Sequence, residues 1–584
     1  MRHVVDPQQG RLFDPFQQII PPLGLKYIAS GWQSIFRAVL LPLMPVGKLG
    51  DKLHPILGRL SKELYSVAGL LFLQEAKGWT NDDAVHAYLF HTDVQFALNL
   101  EPGIDEMSLA TFERYRGHFL DNDLGAQLMN DLTMKLVAEL DLHIDQQRLD
   151  STHVFSDMAR FGRTRMMAVC NKRFLTQVLR HHADDFNALP EALRRRYASS
   201  QAKLFAAKGL SAEQRSKSRL QVAEDMRDLI NRFADHPGLK DRPSYQALVT
   251  VFGQQCEIVA DKIVIKAKTG GGCVQNPSDL DATYDGHKGQ GHKVQLVETC
   301  SDENDVQLIL TVLPQTAADH DANALTPVLA DLKGKNLLPE SMLTDTAYGS
   351  DENVKAAADL GVELVAPLPG AETASASADA PMSGEATTPP ATPMEKLTID
   401  DFSVDERTGK IGACPSGRIP LHVLYHQGTD KDKTTIERKP EDCANGSFRE
   451  ACPVQKTKKG KYQLDYTAKQ RRQQERRREQ DTAAFRERYA KRSGLESTNG
   501  GLKRKHGLGK LRVRGRPAVR HALFLKVAGW NLNRATASGK LASKAAEILR
   551  KLGFGCWWSA CFSLVWAVIR VYRPWRPALT ANAA

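Results

Sequence analysis

A stretch near the C-terminal end of the chain carries four residues whose types and spacing could handle a phosphodiester. Arg492, Glu496 and Lys503 follow Tyr489 at offsets of three, seven and fourteen. A helix turns about 100° per residue, so these offsets fall at roughly 300°, 340° and 320°, one narrow stripe on a single helix. The two cations would neutralise phosphate, the tyrosine would pack against it, and the carboxylate could hold a divalent metal beside the scissile bond.

Two considerations weaken this interpretation of the stretch. Asn499-Gly500-Gly501 favours a turn, which would leave Lys503 beyond the end of the helix. Four polar residues on one stripe are also typical of a solvated surface.

Two aspartates stand where a strand would place a rigid metal ligand. Asp150 lies in residues 143–154, which read as a strand, and Asp345 closes a short strand that begins at residue 341. An acid at a strand end can serve a metal-dependent phosphoryl-transfer site, although a turn or cap role is the alternative.

The elements around these acids predict an α/β fold. Their order is a strand with Asp150, a hairpin (292–298 and 306–313), a helix (322–332), a strand with Asp345, a helix (352–360) and a strand (362–366). This order fits a mixed sheet flanked by helices.

Composition divides the chain into six regions. They are a helical N-terminal domain at 1–140, a first part of the core at 141–370 with a helical insertion at about 155–262, a flexible linker rich in Ala, Ser, Thr and Pro at 371–395, a small β-rich insertion at 396–465, a second part of the core with a basic helix and Glu496 at 466–540, and an apolar C-terminal helix and tail at 541–584. In the first region, residues 107–116 form either a DNA-reading helix or an ordinary packing helix.

Charge predicts a nucleic-acid partner. The chain of 584 residues carries a formal net charge of +11. Its cations concentrate in the last quarter, where small and apolar residues interleave with them, so we expect contacts with a phosphate backbone. The cations of this stretch that we expect to bind DNA are Lys503, Arg504, Lys505, Lys510, Arg512, Arg514 and Arg516.

Cysteine usage and hydropathy predict a cytoplasmic protein without a membrane span. The nine cysteines are scattered and no secretory leader opens the sequence. Residues 554–571 are apolar but contain Ser559, Ser563 and Arg570, so we interpret them as a buried or partner-contacting helix, with membrane association as the alternative.

Zinc is a minor alternative for the β-rich insertion. Its cysteines lack a close Cys-x-x-Cys pair, and the candidate ligands are Cys414, Cys443 and Cys452 with His422 or His426. The histidines near the acidic motifs, His153, His287 and His292, are expected to be satisfied polar groups and not ligands.

These motifs together resemble bacterial insertion-sequence transposases of the DDE type. The resemblance lies in L-D-S-T-H-V around Asp150, S-D-L-D-A-T-Y-D-G-H-K-G-Q-G-H-K at 278–293, L-T-D-T-A-Y-G-S around Asp345, and the Y-x2-R-x3-E-x6-K series. It covers roughly residues 55 to 535, and the segment that starts at Arg492 is its most specific part.

The resemblance implies an RNase H-like core and a set of roles. Asp150, Asp345 and Glu496 would be the catalytic triad and would hold two Mg²⁺ or Mn²⁺ ions. Tyr489, Arg492 and Lys503 would position double-stranded DNA, namely the terminal inverted repeats of the element and the target. A homodimer in the DNA complex and a bacterial, nucleoid-associated location are further implications.

Two other function classes stay open at this point. A catalytically inactive DNA-binding derivative would not depend on the three acids. An RNase H-fold nuclease or junction resolvase would cleave DNA without joining it.

Overall fold

The computed structural model describes residues 1–9, 14–103, 105–205, 209–368, 397, 399–403, 411–426, 433–444 and 449–551. The predicted linker at 371–395 and the apolar segment at 554–571 lie outside the described residues.

The helices of the described residues are numbered in chain order. Those before residue 145 are α1 (Phe16–Ile19), α2 (Pro22–Ser30), α3 (Trp32–Ile35), α4 (Val46–Gly50), α5 (Leu64–Lys77), α6 (Asn81–Phe90), α7 (Thr92–Ala97), α8 (Leu109–Asp121) and α9 (Leu124–Leu140). The next group is α10 (Arg163–His181), α11 (Ala183–Asn187), α12 (Glu191–Arg196), α13 (Ala212–Phe233) and α14 (Pro243–Gln255). The remaining helices are α15 (Leu325–Gly334), α16 (Asp351–Ala358), α17 (Pro440–Ala444), α18 (Ala468–Gln480), α19 (Ala483–Ala490), α20 (Gly494–Lys505), α21 (Arg516–Thr536) and α22 (Gly539–Leu549).

The strands are numbered in the same way. They are β1 (Gln146–Val154), β2 (Cys256–Val259), β3 (Lys262–Ile265), β4 (Thr283–Asp285), β5 (Gly289–Thr299), β6 (Ile309–Thr316), β7 (Ser341–Thr344), β8 (Glu363–Val365), β9 (His422–His426), β10 (Lys433–Arg438), β11 (Gln455–Lys456) and β12 (Tyr462–Thr467). The hairpin predicted before the first core helix is therefore β5 and β6, which pair in antiparallel fashion from His292↔Thr316 onward.

The chain divides into two compact units, and β1 contributes to both. The first unit contains Met1–Ile144, Asp150–His320 and the chain from Leu495, and the second contains Asp145–Leu149 and Asp321–Gly494.

The first unit has two separate apolar cores. One core joins the N-terminal helices to β5, β6, α20, α21 and α22, and it includes Phe72, Leu132, Leu296 and Leu523. The other core lies within α10 to α14, the helical insertion, and includes Phe174. The insertion is followed by an antiparallel hairpin of β2 and β3, and β2 lies where the sequence predicted helix.

The second unit combines parallel strands with a small antiparallel sheet. β1 and β8 each pair in parallel with β7, and the order β11-β12-β10-β9 forms a four-stranded antiparallel sheet. That sheet buries Ile436, Leu464 and Tyr466 against Phe402. The mixed α/β class predicted from the sequence is confirmed, and it is compatible with an RNase H-like fold.

Candidate active site

Asp150, the first candidate acid, lies on β1 and is half-buried. The Nδ2 group of Asn499 on α20 donates a hydrogen bond to Asp150 Oδ2 at 3.3 Å. Asn499 and Glu496 are three residues apart, so they share one face of α20. The face of α20 that bears the exposed Glu496 is therefore the face that contacts β1, and both acids belong to the first unit.

Two buried contacts fix α20 in this position. Thr498 Oγ1 donates a hydrogen bond of 2.8 Å to Glu298 Oε1 on β5, and Glu298 is fully buried. Gly501 faces Trp530 on α21, where an added Cβ would lie 2.4 Å from the indole ring. The turn predicted at Asn499-Gly500-Gly501 is wrong: α20 runs through both glycines to Lys505, because the bare backbone of Gly501 lets the helix pack against the indole.

The single helical stripe predicted from Tyr489 to Lys503 is also wrong. Tyr489 lies on α19, which ends at Ala490, whereas Arg492 lies in a 3-10 turn at Lys491–Ser493 and Glu496 lies on α20. The 100° periodicity therefore does not run through all four residues.

Arg148 provides the physical reason for this interruption. Its Nη1 donates a hydrogen bond of 2.7 Å to the carbonyl of Lys491, a group that an uninterrupted α-helix would bond to an N–H four residues later. Its guanidinium also occupies the space beside Gly494, where a Cβ would lie 2.0 Å from Arg148 Nη1. Arg148 was not predicted as a site residue; the signal was a cation on the same strand face as Asp150.

Asp345 lies in the second unit, directly after β7. In the parallel register of β1 and β7, Leu149 pairs with Thr344. Asp150 follows Leu149 in the chain, and Asp345 follows Thr344. Asp345 Oδ1 accepts a hydrogen bond from the Thr346 N–H, and Asp345 Oδ2 lies 3.9 Å from Arg492 Nη2. The predicted phosphate contact Arg492 thus lies beside a candidate metal ligand.

The complete acid triad stays a prediction. Asp150 and Glu496 belong to the first unit and Asp345 belongs to the second. The donor set itself fits the expected metal, because Mg²⁺ and Mn²⁺ prefer carboxylate oxygens.

The charges of Lys503 and Lys288 act on the ionisable groups around Asp150. Burial lowers the pKa of Lys503, the charge of Lys288 lowers it further, and the charge of Asp150 opposes both effects. Burial also lowers the pKa of His153, and both lysines contribute to that shift. Lys288 was missed by the sequence analysis, although it lies in the glycine-flanked turn between β4 and β5.

His292 is a satisfied polar group, as predicted. Its Nε2 lies 3.1 Å from Asp279 Oδ2, and Ser156 Oγ donates a hydrogen bond of 2.8 Å to the same oxygen. Asp279 is fully buried, so this network joins β5 to the segment after β1.

The basic segment after α20 runs alongside the residues that follow β1. The Phe155 N–H donates a 3.0 Å hydrogen bond to Gly509 O, the Phe155 carbonyl accepts one of 2.8 Å from the Leu511 N–H, and the Asp157 N–H donates one of 2.9 Å to Val513 O. In extended backbone, alternate side chains point to opposite sides. Leu511 is accordingly buried, and the predicted DNA contacts on the other side are exposed: Lys510, Arg512 and Arg514.

A basic cleft of about 460 Å³ adjoins this segment within the first unit. Glu75 is the one acid among its lining residues, and its carboxylate lies 3.5 Å from Lys526 Nζ and 3.7 Å from Arg116 Nη2. The cations that line the cleft are Lys77, Arg116, Lys505, Lys510, Arg512 and Lys526. Three of these were predicted from the basic segment, and the other three come from α5, α8 and α21.

The cysteines of the β-rich insertion do not form a compact ligand set among the described residues. Cys414, Cys443 and Cys452 line one small cavity of the second unit, but their sulfur atoms do not all lie within 4.8 Å of one another. His422 is exposed, and the His426 side chain lies outside the described residues.

Comparison with known families gives one match. Residues 413–536 are similar to a family described as Transposase DDE domain. The matched segment contains Glu496 and all the predicted DNA contacts, and Asp150 and Asp345 precede it. Searches of curated proteins and of solved structures found no match to the chain.

Among the helices that the structure describes, none has both the length and the apolar character needed to cross a membrane.

Proposed function

We propose that this protein is a DNA transposase of the DDE type, which cuts and joins the ends of an insertion sequence. The observation that carries the proposal is the similarity of residues 413–536 to the transposase DDE domain. The hydrogen bond between Asn499 and Asp150 supports it, because it joins the matched segment to a strand that bears a second acid.

The proposed catalytic and metal-binding residues are Asp150, Asp345 and Glu496. Two divalent ions, Mg²⁺ or Mn²⁺, would supply Lewis-acid activation of the attacking oxygen and stabilisation of the leaving oxygen. Asn499 would fix the orientation of the Asp150 carboxylate, and Arg492 would balance the charge of Asp345.

The proposed reaction has two steps at the same acids. In the first, water attacks a phosphodiester at the transposon end, its oxygen forms a new bond to phosphorus, and the 3′-oxygen leaves with a proton. In the second, the freed 3′-hydroxyl loses its proton and attacks a phosphodiester of the target, whose own 3′-oxygen leaves and takes up a proton. Each step exchanges one P–O bond for another, so no oxidant or nucleotide is consumed.

The exposed cations of the basic segment and the basic cleft support double-stranded DNA as the partner. Lys503, Lys510, Arg512 and Arg514 are proposed to contact backbone phosphates, with Tyr489 placing DNA beside the acids. Arg504, Lys505 and Arg516 complete this set. Terminal inverted repeats as the recognised ends, a homodimer on DNA and a bacterial nucleoid location are part of the same proposal.

Strand cleavage and joining by the purified full chain test the proposal. With DNA that carries the sequences flanking its gene, we expect Mg²⁺-dependent nicking at the ends of the proposed inverted repeats and insertion into a plasmid. Asp150→Asn, Asp345→Asn and Glu496→Gln should each abolish both products while DNA binding in EDTA is retained. Asp157→Asn and Glu487→Gln are matched controls, because both side chains are exposed acids near the same elements.

Three results would contradict the proposal in different ways. Cleavage without joined product would identify a nuclease or resolvase. DNA binding without any cleavage at all would identify an inactive derivative. Full activity of the three acid variants would exclude the proposed triad.

A further inference from the structure

A group of metal-ligating side chains lies in the helical insertion and includes none of the acids of the proposed active site. His182, Asp185 and His236 each place one ligand atom within 4.8 Å of the others. His236 Nε2 lies 3.1 Å from Asp185 Oδ2, and His182 Nδ1 lies 3.8 Å from the same oxygen. It is the one such group of three that the described residues contain.

Three separate elements bring these ligands together. His182 directly follows α10, Asp185 lies in the first turn of α11, and His236 lies in the turn after α13. The two imidazole rings meet edge to face with their centroids 4.7 Å apart.

The backbone of the last turn makes room for this arrangement. A Cβ on Gly238 would lie 2.8 Å from the His182 ring, so a larger residue would displace that imidazole. The Gly238 N–H donates a hydrogen bond of 3.1 Å to His236 Nδ1, which leaves Nε2 of that ring directed at Asp185. The orientation of both rings is therefore set by the fold of the insertion.

We infer that His182 Nδ1, Asp185 Oδ2 and His236 Nε2 bind a first-row transition-metal dication of the zinc class. Two imidazole nitrogens and one carboxylate oxygen are a donor set that suits Zn²⁺, whereas Mg²⁺ prefers oxygen ligands alone. Tetrahedral bonds of about 2.0 to 2.1 Å separate neighbouring ligand atoms by roughly 3.3 Å. The observed distances of 3.1 and 3.8 Å lie on either side of that value, so small side-chain rotations complete the site.

The ion would join the corner between α10 and α11 to the end of α13. Three protein ligands leave the fourth tetrahedral position to water. A cation on His236 Nε2 leaves its proton on Nδ1 and breaks the hydrogen bond from Gly238, so binding is weaker than at a zinc site with four protein ligands. The site stabilises the insertion, and it contains none of the three acids proposed for strand transfer.

Calorimetric titration of the full chain with ZnCl₂, after treatment with EDTA and desalting, tests this inference. Because the nine cysteines and the acids of the proposed active site can also bind zinc, the decisive quantity is the difference in stoichiometry between variants. We expect His236→Asn and Asp185→Asn to bind one zinc ion fewer than the parent chain, with an affinity loss at that site of more than about 100-fold. His181→Asn is the matched control, since this exposed histidine precedes His182 and is outside the ligand group.

Thermal melting gives an independent readout. Zinc should raise the Tm of the parent chain and of His181→Asn more than that of Asp185→Asn, and equal concentrations of Mg²⁺ should not reproduce the difference. Identical zinc stoichiometry and identical Tm shifts in all these chains would overturn the inference and leave a hydrogen-bonded His–Asp cluster. Strand transfer is not measured in either assay, so the outcome is separate from that of the proposed function.

Discussion

Replacing Gly501 with alanine tests how α20 is held against α21. A glycine inside a helix is less favourable than alanine by about 0.8 to 1.0 kcal/mol, so helix propensity alone predicts stabilisation. The structure predicts the reverse, because the new Cβ would lie 2.4 and 2.6 Å from two carbons of the Trp530 ring. Trp530 is only 8% exposed, so its indole has little room to withdraw.

The net effect follows from these two opposing contributions. Overpacking in a well-packed region costs about 1 to 3 kcal/mol. Subtracting the gain in helix propensity leaves a destabilisation of roughly 0 to 2 kcal/mol for Gly501→Ala. The same displacement would shift Glu496 relative to β1, so we expect strand cleavage to fall together with stability.

The neighbouring glycine provides the control for this experiment. The three atoms nearest to a Cβ on Gly500 all belong to the guanidinium of Arg504, the first at 3.2 Å, and that exposed side chain can move away. Gly500→Ala should therefore stabilise the chain by up to about 1 kcal/mol. Urea unfolding followed by circular dichroism measures both variants. Unfolding of Gly501→Ala at the same or a higher urea concentration than Gly500→Ala would show that the contact with Trp530 does not restrict residue 501.

Three further measurements address the basic cleft and two ionisable groups. Arg512→Gln should weaken binding to duplex DNA in EDTA and reduce the slope of log K against log salt by about one. Arg59 is exposed and is not part of the cleft, so Arg59→Gln should leave the slope unchanged. Equal slopes for the two variants would argue against a phosphate contact of Arg512. Burial lowers the pKa of His506 to about 4 in the folded chain, so the unfolded chain takes up a proton first as the pH falls. The free energy of unfolding should therefore decrease by roughly 3 kcal/mol between about pH 6.5 and pH 4. Urea unfolding of His506→Gln should show a shallower pH dependence. The hydrogen bond from Arg472 holds the pKa of Asp351 at about 2, so the stabilisation by this ion pair is present above about pH 4 and is lost between pH 4 and pH 2. Arg472→Gln should therefore lower the Tm at pH 7 but not at pH 2. An equal decrease at both pH values would contradict the ion pair.

Local sequence patterns predicted the elements that carry the candidate acids. Asp150 and Asp345 were assigned to a strand and a strand end because alternation and turn residues are properties of neighbouring positions. The hairpin between them was predicted for the same reason. These predictions needed no knowledge of which segments meet in the folded chain.

The interruption between Tyr489 and Glu496 could not be predicted in this way. It depends on Arg148, which is remote in the sequence and donates a hydrogen bond to the carbonyl of Lys491. The continuity of α20 through Gly501 depends likewise on Trp530. Helical periodicity describes an isolated helix, and both departures come from side chains on other elements.

The basic cleft illustrates the same limit for a functional surface. The cations of the segment after α20 are dense enough to be found in the sequence, but Lys77 and Arg116 stand singly on amphipathic helices. Only the packing of α5 and α8 against α21 places them beside Arg512.

The larger apolar core of the first unit affects how the chain folds during its synthesis. Phe72 and Leu132 leave the ribosome before Leu502 and Leu523, which belong to the same core. Until these later residues have been made, the N-terminal helices expose apolar surface, which favours binding by chaperones. A chain truncated before α20 would be prone to aggregation and would not fold as a smaller functional protein.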